Sequence, residues 1–381
     1  MRLALLTSKY HPVTCGVGDY AMRLGAELHR CGAEVTLLAR RPAHPHPEAP
    51  ELEPIAVGGR GPSSSAWQVV RALRRLGPDA VLVQYVPHML GATRFGSPAV
   101  PLLCRALRSS GIRVVAIAHE LHLPWSIRPD LAVASALGRI QLAALAANVD
   151  RLVVTTEARF AELRRALAPG LARRLALVPV GANALPRPGL PEPGRADIGL
   201  FSTLALGKRI EAVLVAFERL AQSNPGARLV LLGDLGSEKS ARFRALAELM
   251  RTSRYAGRID RRGRLPLPEI SDAISRLDVF VFPSDVGATT RSGTLPVALG
   301  SGIPVVATRG PDSSAVFRDG DNVLFARDLS PESLSEAISL LLRDATLRER
   351  IGRGGRALYD RELSWTVIAR RILELVETPT A

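Results

Sequence analysis

The sequence predicts an α/β chain made of two Rossmann-like, doubly wound domains in tandem. Three observations carry this. The chain has 381 residues, and a single core rarely grows beyond about 250–300 residues, so two domains are expected. Short apolar runs alternate with helical periods through both halves. The alternation is interrupted once, by a proline-rich stretch, Ala184-Leu-Pro-Arg-Pro-Gly-Leu-Pro-Glu-Pro-Gly194, where the prolines forbid regular structure.

In the first half, strands are expected at Leu3–Thr7, Val35–Ala39, Ala80–Gln84, Val114–Ala118, Leu152–Thr155 and Leu175–Val180. Helices are expected between them at Asp19–Arg30, Trp67–Leu76 and Ala132–Ala147. Strands this apolar on both faces belong in a parallel sheet covered by helices. The second half repeats the pattern. Its strands are expected at Ile198–Ser202, Arg228–Leu232, Asp278–Phe282, Pro304–Thr308 and Val323–Ala326. Its helices are expected at Lys208–Gln222, Ala241–Arg251, Leu295–Ser301, Pro331–Leu342 and Ser364–Val376. The domains then read as 1–183, a linker at 184–196, 197–362, and a C-terminal helix over 363–381 that crosses back to the first domain. Ligands of such sheets bind at the carboxyl ends of the strands.

Composition narrows the class. Hydrophobic residues make up 47% and charged residues 23%, an ordinary globular balance. No run of about 18 uncharged apolar residues is visible, so no membrane span is expected. The first residues turn polar too soon for a signal peptide. Cys15, Cys31 and Cys104 show no metal spacing, which points to reduced cytoplasm and inert thiols. Net charge is +14, with 22 basic against 12 acidic side chains in residues 1–183 and 28 against 24 in the rest. Such a chain suits a phosphorylated ligand or an anionic membrane surface, besides simply being well solvated. Nucleic acid is disfavoured, because aromatics are only 4% and no basic-aromatic stripe appears.

Several constellations sit where a doubly wound sheet places function. Gly16 and Gly18 open a helix after the first strand, where backbone N–H groups approach an anion. The third glycine of a dinucleotide fingerprint is absent, which argues against a dehydrogenase. Gln84-Tyr85 and His119-Glu120 follow two strands directly. His44 and His46 lie in a proline-rich loop and read as an exposed turn. Lys208, one of three lysines, stands where a strand passes into a helix and suits a phosphate as a point charge. The segment from Val279 to Thr308 reads as strand, loop, short helix and strand. Its loop offers small residues, hydroxyls and Arg291 ahead of a helix start near Ser292–Thr294, the parts of a diphosphate cradle.

Taken in order, these pieces resemble the family-4 glycosyltransferases, which have the two-domain GT-B fold and retain anomeric configuration. The series is Gly16-Val-Gly-Asp-Tyr20, Gln84-Tyr85, His119-Glu120, Val178-Pro-Val-Gly181 with Asn183, Lys208, Arg228-Leu-Val-Leu-Leu-Gly233, Gly263-Arg-Leu265, Phe282-Pro-Ser284, Gly302-Ile-Pro304 and Asp319-Gly-Asp-Asn322. The resemblance implies a nucleotide-diphosphate sugar as co-substrate, no cofactor, no metal, and an active site in the cleft between the domains. It implies His119 and Lys208 as catalytic residues, and Arg291 joins them by its place in the loop ahead of the helix start. It implies donor contacts from Gly16, Gly18, Thr203, Lys208, Gly263, Leu265, Gly287, Thr289, Arg291, Ser292, Gly293, Thr294 and Leu295. Acceptor contacts are implied for Asp19, Tyr20, Gln84, Tyr85 and Glu120.

Two departures from the family stand out. Its arginine five residues before the lysine is Thr203 here. Its paired glutamates fall on Val297 and near Thr289 or Gly287, so the chain resembles a sub-branch without that pair. Arg291 is expected to supply the missing cation, because Arg209, one helical step beyond Lys208, turns about 100° away. The acceptor expected is a glycan, a lipid-linked carrier or a small molecule. Trp67 with Arg71, Arg74 and Arg75 suggests peripheral contact at the inner face of a membrane. A nucleotide-sugar epimerase and a non-catalytic homologue remain as alternatives.

Overall fold

The computed structural model describes every residue except 14, 41, 59–61, 91–96, 123–127, 193, 203–206, 237–238 and 379–381, and gives the backbone alone at 62–64. The chain divides into two compact units, Met1–Pro179 with Trp365–Ala381, and Val180–Ser364.

The first unit runs β1 (Arg2–Thr7), α1 (Gly16–Arg30), β2 (Glu34–Arg40), β3 (Pro54–Val57), α2 (Pro62–Leu76), β4 (Ala80–Tyr85), α3 (Ala99–Arg108), β5 (Arg113–Ala118), α4 (Pro129–Ala147), β6 (Arg151–Val154), α5 (Glu157–Ala166), the single turn α6 (Pro169–Ala172) and β7 (Leu175–Leu177). Its seven strands lie parallel in the order β3-β2-β1-β4-β5-β6-β7. The order reverses between β1 and β4, so the loops after those strands diverge and leave a crevice at their carboxyl ends. One face of the sheet carries a core from Ala4 and Leu6 through Val81, Val83, Val114 and Ala116 to α2, α3, α4 and α5.

The second unit runs β8 (Ala196–Phe201), α7 (Ile210–Ser223), β9 (Ala227–Leu232), α8 (Ala241–Thr252), β10 (Ile259–Gly263), α9 (Leu267–Ser275), β11 (Val279–Phe282), α10 (Leu295–Gly300), β12 (Val305–Thr308), β13 (Leu324–Ala326), α11 (Pro331–Arg343) and α12 (Ala345–Leu358). Its six parallel strands follow β10-β9-β8-β11-β12-β13, with the reversal between β8 and β11. Separate apolar clusters cover its two faces. After a π-helical turn at Tyr359–Leu363, α13 (Trp365–Glu377) joins the first unit. Its Trp365, Ile368, Ala369 and Ile372 are buried, and Thr366 donates to Glu27 at 2.6 Å.

Two expectations change. The proline-rich stretch is not a free linker. Its unsubstituted amides are used by the second unit: Gly189 N donates to Ser301 O at 2.9 Å and Leu190 N to Ser275 O at 2.7 Å. Residues 180–184 also belong to that unit, so the first one ends at Pro179 rather than at 183. α4, at mean hydropathy 1.3, is long and apolar enough to cross a membrane by length and composition alone, but it carries Asp130 and Arg139, so the absence of an uncharged apolar run stands. Its inner residues Leu142, Leu145 and Ala146 pack into the first core, while Val133, Leu137 and Ile140 are exposed.

Candidate active site

The second unit holds a cavity of about 370 Å³ at the carboxyl ends of β8 and β11. Phe201 ends one strand, with Ser202 just after it, and Phe282 ends the other. Asn183, Gly207, Lys208, Ser284, Asp285, Val286, Thr289, Arg291, Ser292 and Thr294 complete the lining. Lys208 stands just before α7, paired with Ser284 in an isolated antiparallel bridge. Its ammonium lies over the Phe282 ring, 3.5 Å from the centroid, which holds it in the pocket. Burial first, and then Arg291, pull its pKa down to about 8, with Asp285 opposing. Arg291 itself is exposed. Two cations thus share one small space in which Asp285 is the one lining carboxylate among the described residues.

The loops around this pocket are fixed by close packing. Gly287 has φ +88°, and a Cβ there would come 2.1 Å from Ser313 Oγ and 2.6 Å from Gly310 N. Thr308 Oγ1 donates to Ser284 O at 2.6 Å and accepts from Ser284 N at 2.9 Å, tying the loop to β12. Ser314 Oγ accepts from Thr290 N. A Cβ on Gly293 would meet Asn183 Oδ1 at 1.9 Å, and Asn183 N donates to Gly293 O at 2.8 Å.

Arg209 is the cap residue before α7, not part of the helix. The step from Lys208 to Arg209 is therefore not a helical one, although the two side chains do diverge. Arg209 approaches Asp285 Oδ2 at 3.6 Å and lines a neighbouring cavity of about 740 Å³ with Glu211 and Arg242. Arg242 is committed to Glu211 through bonds of 2.7 and 3.0 Å and also donates to Lys208 O.

In the first unit His119 follows β5 and is half-buried. Its ring Nε2 lies 2.8 Å from Gln84 Oε1. Its backbone N donates to Tyr85 O at 3.0 Å, and its carbonyl accepts from Arg159 at 2.8 Å. The Tyr20 ring meets it edge-on with centroids 4.7 Å apart, and Tyr20 packs in turn on Trp365. Burial, then Arg159, depress the His119 pKa to about 3, so the ring stays neutral. Asp19, in the first turn of α1, has its carboxyl pushed up to about 6 by burial, against the pull of Arg23 and with Glu48 adding to the rise.

Residues 195–344 match the family model for glycosyl transferases group 1, and residues 15–181 match that for the glycosyl transferase 4-like domain. In sequence the chain is similar to a GDP-mannose-dependent monoacylated alpha-(1-6)-phosphatidylinositol monomannoside mannosyltransferase of Corynebacterium glutamicum. The identity is 24% over 309 residues, covering 74% of this chain and 75% of the relative. It is also similar to glycogen synthase of Mycobacterium tuberculosis, 24% identical over 416 residues, covering 97% and 92%. The fold is similar to that of Anabaena HepE solved in complex with UDP-glucose, with TM-score 0.72, 14% identity and 98% of each chain covered. The chain belongs to the GT-B glycosyltransferases.

As a GT-B glycosyltransferase, the chain gathers only part of the residue set expected from sequence. Lys208, Thr289, Arg291, Ser292 and Thr294 line one pocket. Thr203 lies outside the described residues. Leu295 does not line the pocket: its side chain is core and its N–H donates to Ser292 Oγ. Gly287 and Gly293 are there for loop packing. Gly263 sits two strands away, its carbonyl accepting from Gly233 N, and Leu265 lines a different cavity beside Asp197 and Arg228. Gly16 opens α1 with free space around it, whereas Gly18 lets the helix start touch Lys9 O, which a Cβ at that position would approach to 2.7 Å.

Of the expected acceptor contacts, Asp19 is half-buried and Glu120 is exposed. Tyr20 and Tyr85 are core residues: Tyr85 OH accepts from Gln141, and the Tyr20 phenol is buried beneath His119, its pKa raised. Gln84 is fully buried and reaches His119 instead. His46 is half-buried, not an exposed turn; its ring packs edge-on against His11 at 5.2 Å. Sequence reasoning missed Asn183 and Asp285 as lining residues. The Asp319-Gly-Asp321 run is a turn in which Asp319 accepts from Phe325 N and Asp321 pairs with Arg318.

Proposed function

We propose that the chain is a retaining, metal-independent glycosyltransferase that moves a hexosyl group from a nucleotide-diphosphate sugar to an acceptor hydroxyl. The observation that carries this is the cation pair. Lys208 and Arg291 share a partly closed pocket, and Arg291 helps depress the Lys208 pKa. Such a pair gains most from a ligand with two or more negative charges. A diphosphate fits, and its charge grows as the C1–O bond breaks, so the same cations favour departure. The acceptor oxygen bonds C1, and its proton passes to the departing phosphate oxygen. The donor preference expected is GDP-mannose or UDP-glucose, because the mannosyltransferase relative uses the first and HepE was solved with the second.

Calorimetry with GDP, UDP, AMP and inorganic phosphate tests the reading. One nucleoside diphosphate should bind well above phosphate and AMP, and NMR of the turnover mixture should show an α-linked product. No diphosphate binding up to millimolar concentration would overturn it. Donor incubated without acceptor separates a transferase from an epimerase.

A membrane-borne acceptor has its own support. In the first unit α2 and α3 carry Arg71, Arg74, Arg75 and Arg105 and no acidic residue, while Arg108 pairs with Asp150. Trp67, beneath Arg71 at 5.4 Å, and Leu102 are about 60% exposed. Arginines beside exposed apolar side chains suit the anionic inner leaflet. Flotation should recover the protein with anionic vesicles at low salt and not with neutral ones. Equal recovery would favour a soluble acceptor.

A further inference from the structure

The arrangement behind His119 assigns a role to a residue that contacts no ligand. We propose that Gln84 is a positioning residue for transfer: its amide carbonyl holds His119 as the neutral Nε2–H tautomer and leaves Nδ1 as a hydrogen-bond acceptor for a sugar hydroxyl. The role in transfer rests on the proposed function; the tautomer lock does not.

Gln84 is the penultimate residue of β4, inside an otherwise apolar strand, and is 0% exposed. A carboxamide buried there is costly unless it is paired. Its Oε1 is paired, with His119 Nε2 at 2.8 Å, but its Nε2 has no hydrogen-bond partner among the described residues. A leucine would fill the strand position without an unmet donor. The packing of the strand therefore does not explain a glutamine, whereas the contact with His119 does.

The rest of the surroundings hold the ring still without competing for its nitrogens. Tyr85 O and Arg159 fix the His119 backbone, and Tyr20, backed by Trp365, meets the ring edge-on. With Nε2 committed, Nδ1 is the ring nitrogen left without a partner among the described residues. The charged group that acts on the ring is the Arg159 guanidinium, bonded to the His119 carbonyl, and the other polar neighbours, the Gln84 amide and the buried Tyr20 phenol, are neutral. No group there, among the described residues, compensates an imidazolium. Burial and Arg159 keep the ring uncharged, the amide at position 84 brings no charge to oppose them, and a carboxylate in its place would draw a proton onto the ring.

The experiment uses the full chain labelled with ¹⁵N-histidine. Long-range ¹H–¹⁵N spectra of the wild type should show His119 as the Nε2–H tautomer, unchanged from pH 5 to 9. In Gln84→Glu the ring should titrate with a midpoint between about pH 5 and 8. In Gln84→Leu the tautomers should mix. With a competent donor, Gln84→Glu should lose at least about tenfold in kcat at pH 6 and recover toward pH 9, with KM within about twofold. An Nδ1–H tautomer in the wild type overturns the proposal, and that measurement needs no variant to fold. So does a Gln84→Glu ring that fails to titrate, or a pH profile identical to wild type. If the spectra behave as expected but no donor is turned over, the transfer reading falls and the Gln84–His119 lock stands.

Discussion

At the scale of single residues, the donor pocket is a problem of charge. The Lys208 pKa is pulled down to about 8, chiefly by burial and secondly by Arg291. A bound diphosphate adds negative charge and raises that pKa. Binding therefore favours the protonated lysine. Nucleoside diphosphate affinity should be flat below about pH 8 and fall as the pH rises through it, by up to about tenfold per unit for one proton. Calorimetry from pH 7 to 9.5 should show this together with proton uptake, and Lys208→Met should abolish both. An affinity that stays level to pH 9.5 would separate Lys208 from the phosphates.

Lys208→Ala should cost on the order of 2–4 kcal/mol in kcat/KM. Arg291→Ala should weaken diphosphate binding by about 1.5–3 kcal/mol, while Arg209→Ala changes it little. Arg209 already faces Asp285 from the neighbouring cavity. The reverse order would make Arg209 the second cation. Lys208 and Arg291 are legible in the sequence because cations are conspicuous in loops that follow strands. Asp285 is not, since an acid after Phe-Pro-Ser carries no signal of where its loop turns. Tyr20 and Tyr85 mislead because a residue at a strand or helix end can face the core as readily as the crevice.

At the scale of elements, the misses follow from physics rather than chance. α3 has Pro101 and α9 has Pro268 near their starts, which look like breakers in sequence. In the first turn a proline removes an N–H that has no helical partner, so both helices form. β10, Ile-Asp-Arg-Arg-Gly, and β3 are edge strands. An edge needs no apolar alternation and is better short or charged. The central strands, apolar on both faces, are all visible in the sequence. Glycines in the site loops make a sharper test. Gly287→Ala should lower the stability of the second unit by more than about 1–3 kcal/mol, because a positive φ and a collision with Ser313 and Gly310 coincide. Gly16→Ala meets nothing within 4 Å and should leave thermal stability unchanged or slightly higher. A melting temperature equally lowered in both variants would contradict the packing account. If Gly16→Ala is stable but inactive, the space beside Gly16 is occupied by ligand during turnover.

At the scale of the whole molecule, the chain closes its first unit with its last helix. The first unit lacks that helix until synthesis has passed through the entire second unit. Trp365, Ile368, Ala369, Ile372 and Val376 are all at most 5% exposed. Burial of Ile368, Ile372 and Val376 contributes about 1.5–3 kcal/mol each, so their sum alone is comparable to the roughly 5–15 kcal/mol that holds a domain folded. The helix also supports the site, since Trp365 backs Tyr20 and Tyr20 meets the His119 ring. A chain ending at Ser364 should therefore lose amide-exchange protection throughout residues 1–179, most of all in α1, whose Glu27 accepts from Thr366. The second unit has its own cores and its own pocket. It should keep its protection and bind nucleoside diphosphate with affinity near that of the full chain. Hydrogen exchange read by segment, with calorimetry on the same sample, decides the matter. Protection of α1 unchanged by the truncation would show that α13 merely rests on the first unit. Loss of diphosphate binding together with protection would show that the two units do not fold independently.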